Sequence, residues 1–91
     1  MTEHEFRQAL AAERFAPAVA VERDASYQLD LHEHPFEAYA LITAGEITLE
    51  VGAVRTTYAE GQTFRLPAGT PHREVAGPQG VRYLSGRKEP A

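Results

Sequence analysis

The chain has 91 residues, which corresponds to one small domain. Its formal net charge is −4 and its basic residues are dispersed, which argues against nucleic-acid binding. It contains no cysteine, so disulfides and thiolate metal sites are excluded. No apolar stretch is long enough for a membrane span, and the first residues lack the basic and apolar regions of a signal peptide. We therefore expect a cytoplasmic protein with no membrane or nucleic-acid partner.

The first predicted element of the chain is a helix over Thr2–Phe15. Thr2 and Glu5 have the spacing of a capping box, in which each residue satisfies a backbone N–H near the other. Pro17 cannot continue a helix, so it ends the segment. The apolar stripe along this segment is narrow, which predicts a helix that packs on the outside of the domain.

From Val19 onwards, apolar residues alternate with polar ones at the period of a β-strand. Glycine and proline interrupt the alternation at five predicted turns: Gly45-Glu46, Gly52, Glu60-Gly61, Pro67–Pro71 and Gly77–Gly80. About seven or eight short strands with this spacing predict a sandwich or a barrel. We divide the single domain into an N-terminal helical region (1–16), a barrel (17–86) and a frayed tail (87–91).

Three of the four histidines lie in two short segments, His32-Glu33-His34 and His72. On a regular strand, His32 and His34 share one face, together with Gln28 and Asp30. Such a face could simply be exposed to water, which is the alternative interpretation. His72 follows a turn, after which a returning strand could bring it alongside the first pair. Three convergent imidazoles would form a metal site.

The two histidine segments resemble the two motifs of the cupin family, one motif each. The spacing of Gly61, Pro67, Gly69 and His72 is similar to the second motif, and His32-x-His34 is similar to the start of the first. The resemblance extends over residues 27–84. It implies an all-β fold, a small jelly-roll β-barrel, with the short helix at its N-terminus. It also implies that His32, His34 and His72 bind one divalent metal inside the barrel.

The glutamate of the first motif is missing from its usual place. The family pattern has six residues between this glutamate and a glycine; counted back from Gly45, its position holds Ala38 here, whereas Glu37 lies one residue earlier. A bulge near Pro35 could turn Glu37 inward as a fourth ligand. Alternatively the site has three histidines only, and Ala38, Ala40 and Ile42 form an inward apolar row. We favour the second alternative.

Neutral imidazole suits several divalent metals, so the candidates are zinc, iron, manganese, nickel and copper. Three histidines without a carboxylate would leave the full charge on the metal and favour an anionic ligand. We expect a barrel that binds one such metal and binds or acts on a small, anionic organic molecule. As an enzyme it would be a metal-dependent dioxygenase, isomerase or hydrolase, with catalytic residues unassigned.

Two other functions are compatible with the sequence. The first is a non-catalytic barrel that binds or senses a small molecule, with or without metal. The second is a structural remnant that has lost the site, although all three histidines are present. We also expect a homodimer, because the alternating Val19 and Val21 strand and the N-terminal helix could supply an apolar interface.

Overall fold

The computed structural model describes residues 1–90, so Ala91 of the predicted tail lies outside the described residues. It contains one helix and six strands in chain order: α1 (Glu3–Ala12), β1 (Val19–Arg23), β2 (Gln28–His32), β3 (Glu37–Val51), β4 (Val54–Ala59), β5 (Thr63–Leu66) and β6 (His72–Lys88). The predicted all-β fold with a short N-terminal helix is confirmed. Helix α1, of 10 residues, is too short to cross a membrane, and residues 1–90 contain no other helix.

Helix α1 begins at the predicted capping box. The Thr2 hydroxyl accepts the Glu5 backbone N–H at 3.1 Å, and the Glu5 carboxylate accepts the Thr2 N–H at 2.9 Å. The helix ends at Ala12, short of the predicted end at Phe15. Arg14 adopts a φ of 63°, and the Phe15 N–H donates to the Leu10 carbonyl at 2.9 Å. This left-handed cap turns the chain toward the sheet and stops the helix.

Two long antiparallel strands, β3 and β6, organise the sheet. They pair with each other along most of their length, and each also pairs with two short strands: β3 with β4 and β5, and β6 with β1 and β2. Both edges of each long strand are therefore hydrogen-bonded. The predicted jelly-roll barrel is built around this central pair.

Two of the predicted turns are bends inside these long strands. Strand β3 continues through Gly45, and β6 continues through Gly77–Gly80. Gly45 and Gly80 have φ values of 70° and 73°, and a Cβ on Gly45 would lie 2.1 Å from the Gly80 carbonyl oxygen. The β3–β6 register shifts on both sides of Ala44, as expected of β-bulges. Glycine here permits a close backbone crossing rather than a chain reversal.

The two faces of β3 bury different clusters. Ala38, Ala40 and Ile42 belong to the core between β3, β5 and β6, which confirms the predicted inward row. The alternate residues Tyr39 and Leu41 lie on the outer face and pack against the helix, in a cluster completed by Phe6, Leu10, Phe15 and Leu84. The helix therefore covers the outside of the barrel, as predicted.

The C-terminal half of β6 alternates in the same way. Tyr83, Ser85 and Arg87 line an internal cavity, whereas Gly86 faces outward beneath Leu10, which a Cβ would approach to 2.6 Å. The strand runs to Lys88. Residues 87 and 88, which the sequence assigned to a frayed tail, thus continue the barrel wall. The backbone pairing with the start of β3 at Glu37 and Ala38 keeps them in the sheet.

Candidate metal centre

The structure brings His32, His34 and His72 together and adds Glu74. One ligand atom from each of the four residues lies within 4.8 Å of all the others. The imidazole ring centres are 4.2 Å apart for His32–His72, 4.9 Å for His32–His34 and 5.2 Å for His34–His72. The two sequence segments therefore meet at one point of the barrel.

A register irregularity in β2 turns His32 and His34 inward. His32 pairs with His72 across the strands, but the register shifts between Leu29 and His32. As a result Leu29 lines the cavity with His34, whereas the Asp30 side chain is 92% exposed. The prediction that Asp30 shares a face with the histidines is wrong. The irregularity lies before His32, not near Pro35.

The turn before β6 connects the two histidine segments through the backbone. The Gly69 N–H donates to the His34 carbonyl at 2.8 Å, and the Thr70 N–H donates to the Pro67 carbonyl at 3.2 Å. The Thr70 carbonyl in turn lies 2.9 Å from His72 Nδ1. The proline and glycine spacing thus positions His72 against His34.

Backbone carbonyls also define the proton positions on two imidazoles. His72 Nδ1 contacts the Thr70 carbonyl, and His32 Nδ1 lies 2.7 Å from the Asp30 carbonyl. A carbonyl only accepts, so both Nδ1 atoms must carry the proton. In neutral rings this leaves the Nε2 lone pairs free and directed at the cluster. Metal-ligating histidines are oriented by the same kind of hydrogen bond.

Glu74 is the residue that the sequence interpretation missed. It lies two residues after His72 on β6, so both side chains point to the same face. Its carboxylate Oε2 is 3.0 Å from His32 Nε2 and 3.3 Å from His72 Nε2. Both Glu74 and His72 are buried. The local signal for it is the spacing His72-x-Glu74, which places both side chains on one face of a strand.

The four side chains fit a cation. His32 Nε2 is buried without a hydrogen-bond partner in the described chain, since its 3.0 Å approach to Glu74 is not aligned as a hydrogen bond. Two lone pairs and a carboxylate that face one another at this range repel unless a positive charge lies among them. A proton on one ring or a metal ion satisfies the cluster. Three imidazole nitrogens and one carboxylate oxygen are suitable ligands for a divalent transition metal.

Glu37 lies outside this cluster. Its carboxylate accepts hydrogen bonds from Arg65 at 2.9 and 3.2 Å, and Arg65 also binds Glu13 at 3.0 Å. The Arg65 guanidinium lies 4.5 Å from the centre of the Tyr39 ring on the outer face of the barrel. Glu37 thus helps to tie the end of the helix to the sheet. The structure offers Glu74, not Glu37, as the carboxylate beside the three histidines.

The cluster opens into a cavity of about 450 Å³. Its walls are mostly apolar, with two tyrosines, one serine and two arginines among them; the residues beside the cluster include Arg23, Tyr27, Phe36, Ala38, Phe64, Leu66, Tyr83, Ser85 and Arg87. A largely apolar cavity with a few polar groups is typical of small-molecule sites.

Burial changes the protonation behaviour of groups around this cavity. It raises the pKa of the Tyr83 phenol to about 12, and the negative charge of Glu74 contributes in the same direction. Burial lowers the pKa of His34, and the neighbouring His32 and His72 lower it further. At neutral pH Tyr83 therefore keeps its proton and His34 is neutral, which is the form that binds metal.

Comparison with known proteins gives a family match. A model described as a cupin domain matches residues 21–85. None of the curated proteins matches the chain.

Three solved structures illustrate the similarity of fold. A Streptococcus pyogenes protein of unknown function, SPY1581, is 25% identical with a TM-score of 0.72, over 82% of this chain and 65% of its own. The DMSP lyase DddQ from Ruegeria pomeroyi is 25% identical with a TM-score of 0.71, over 79% of this chain and 37% of its own. An RmlC-like cupin from Shewanella frigidimarina is 22% identical with a TM-score of 0.70, over 81% and 66%.

Proposed function

Because the chain belongs to the cupin family, we propose that it binds one divalent transition metal through His32, His34, His72 and Glu74. We propose further that a small organic anion binds at this metal, inside the cavity. The observation that carries the proposal is the pair of backbone-oriented imidazoles. Their Nε2 lone pairs converge on a buried carboxylate with no donor among them in neutral rings.

A metal at these four ligands would polarise a bound carbonyl or carboxylate and lower the pKa of a bound water. The chain's own residues supply the surroundings. Phe36, Phe64 and Leu66 give the cavity apolar walls, and the Tyr83 hydroxyl can donate a hydrogen bond because it stays protonated. Arg23 and Arg87 give the cavity a positive contribution. These features favour an anion with an apolar part.

An enzyme and a sensing barrel would both bind the small molecule. They differ in whether the bound molecule is then converted to product. The relative from Ruegeria pomeroyi is named as a lyase, which makes product formation the first assay. A panel of small organic acids incubated with metal-loaded protein should yield product if the barrel is catalytic. Binding without turnover would favour the sensing barrel.

Metal titration of protein purified without an affinity tag tests the proposal. Near neutral pH we expect uptake of about one equivalent of a divalent transition metal, because three imidazole nitrogens and one carboxylate converge at one point. His72→Ala should weaken metal binding on the order of 100-fold or more, because it removes a ligand that the Thr70 carbonyl already orients. Isothermal titration calorimetry measures both values.

His4→Ala is the matched control, because His4 lies on the exposed side of α1 and should leave metal binding unchanged. Circular dichroism establishes that both variants fold. Uptake of less than about a tenth of an equivalent by the unmodified protein would contradict the proposal.

A homodimer remains a prediction, and the structure narrows the surface that could form it. Phe6 and Leu10 of the helix are buried against the chain's own sheet, so the helix has little apolar area to offer. Val19 on β1 is 63% exposed and also lines the cavity, and among the strands of residues 1–90 β1 pairs with β6 alone. Size-exclusion chromatography with light scattering at micromolar concentration should give twice the mass of one chain. A monomer mass would exclude the dimer.

A further inference from the structure

We propose that Arg87 is a specificity-determining residue that binds a carboxylate of the organic ligand, at the end of the molecule away from the metal cluster. The inference rests on the proposed function, because the cluster holds the other end. It assigns the ligand class: a small organic acid with a carboxylate at one end and an oxygen that can bind metal at the other.

The first support is the position of Arg87 on the strand. Tyr83, Ser85 and Arg87 alternate along β6, and all three line the cavity that holds the histidines. The backbone at this point is fixed by pairing with Ala38 and by the Ala16 N–H, which donates to the Arg87 carbonyl at 2.8 Å. The arginine is therefore held by an ordered strand; it lines the cavity and is exposed.

The second support is the residue opposite. Ala38 is the cross-strand neighbour of Arg87, and directly paired residues place their side chains on the same face. The methyl side chain of Ala38 offers the guanidinium no partner for a hydrogen bond or a salt bridge. Within residues 1–90, the Arg87 side chain makes no salt bridge or hydrogen bond, whereas Arg65, Arg73 and Arg82 each contact a carboxylate.

The third support is the distance from the metal cluster. The Arg87 guanidinium lies 4.4 Å from the centre of the Phe36 ring, as a cation–π contact. The His34 ring stacks on the same phenyl ring at 4.8 Å, with 16° between the planes. One aromatic side chain thus sets the separation of the guanidinium from a cluster histidine. A small organic molecule can span it.

Charge and shape point to the same ligand class. Glu74 offsets only part of the charge of a divalent metal, and Arg23 and Arg87 add two positive charges along the cavity. The planar guanidinium fork matches a carboxylate and can bind it with two parallel hydrogen bonds. The apolar walls between Arg87 and the histidines suit a hydrocarbon spacer.

Glutarate and its monoamide, glutaramate, test the inference on metal-loaded protein by calorimetry. The two molecules have equal length and differ only in the charge of one end. We expect glutarate to bind about tenfold more tightly, because its carboxylate forms an ion pair with the guanidinium and can accept two hydrogen bonds from it, whereas the amide of glutaramate is neutral. Arg87→Gln should bring the ratio close to one and leave metal uptake unchanged.

Two further variants separate the role of Arg87 from general charge. Arg82→Gln removes the same charge from an exposed position of β6 outside the cavity, and should keep the glutarate preference. Arg87→Lys keeps the charge without the fork and should retain only part of the preference. Thermal unfolding of each variant establishes that the barrel is intact.

The outcomes distinguish this inference from the proposed function. Equal binding of the two ligands by the unmodified protein, or a preference that survives in Arg87→Gln, overturns the subsite while metal binding stands. No binding of either ligand at millimolar concentration also overturns it. If no metal is taken up, the proposed function fails, and the same ligand pair on metal-free protein still decides whether Arg87 selects the carboxylate.

Discussion

Glu74→Gln is expected to lower the affinity for a divalent metal on the order of 100-fold, because it removes the charged ligand and keeps its size and position. The carboxylate lies 3.0 Å from His32 Nε2 and 3.3 Å from His72 Nε2, so it faces the same point as both lone pairs. Calorimetry gives the affinity directly. The increase in melting temperature that added metal produces should also disappear at low metal concentration.

Glu33→Gln is the matched control for Glu74→Gln. Glu33 lies between the two histidines in sequence, but its side chain is exposed. The same charge is lost near the site, so the long-range electrostatic effect is similar and the ligand set is unchanged. A similar loss of affinity in both variants would show that Glu74 acts through charge alone and is not a ligand.

The double variant Ala38→Glu with Glu74→Gln asks whether the carboxylate can be moved. Ala38 lines the same cavity as His34, His72 and Glu74, and its spacing to Gly45 resembles that of the glutamate in the first motif. With a carboxylate at position 38, the metal affinity should return to within about tenfold of that of the unmodified protein. No recovery relative to Glu74→Gln would show that a side chain at position 38 does not reach the ligand atoms.

Gly45→Ala is expected to reduce the free energy of unfolding by about 3 kcal/mol or more. Gly45 has a φ of 70°, which costs any residue with a Cβ, and the new Cβ would lie 2.1 Å from the Gly80 carbonyl oxygen. Both partners at this crossing are backbone, so no side chain can move aside. The melting temperature should fall by about 10 °C or more for a domain of this size.

Gly52→Ala provides the matched control for the crossing. Gly52 also has a positive φ, 58°, but a Cβ there would meet nothing within 4 Å. Its cost should be the backbone strain alone, about 1 kcal/mol. The difference between the two variants in urea unfolding therefore measures the close approach of β3 and β6. Equal destabilisation would mean that the strands separate at Gly45 at little cost.

Much of the fold could be predicted from local patterns. Alternation of apolar and polar residues identified the strands, because a strand with one buried face needs that period. It also identified Ala38, Ala40 and Ile42 as an inward row, which the core confirms. The capping box located the start of the helix because it depends on residues within one turn.

The same local patterns gave the wrong structural role for two glycines, Gly45 and Gly80. A glycine with positive φ serves a hairpin turn and a bulge equally well, so Gly45 and Gly80 read as reversals. Which role applies depends on the strand that crosses at that point, and this is a long-range contact. Long-range contacts therefore join several of the predicted short strands into the long strands β3 and β6.

The histidine site could also be predicted in part from local patterns. The spacing of His32, His34 and His72 and the proline–glycine turn before His72 are local features, so they predicted that the three imidazoles could converge. The spacing His72-x-Glu74 also places Glu74 on the face of His72, but its contact with His32 depends on the register of β2 against β6, which is irregular before His32. Three contacts depend on which strands are neighbours, so they could be known only from the folded chain: Glu74 with His32, Glu37 with Arg65, and Arg87 with Ala38.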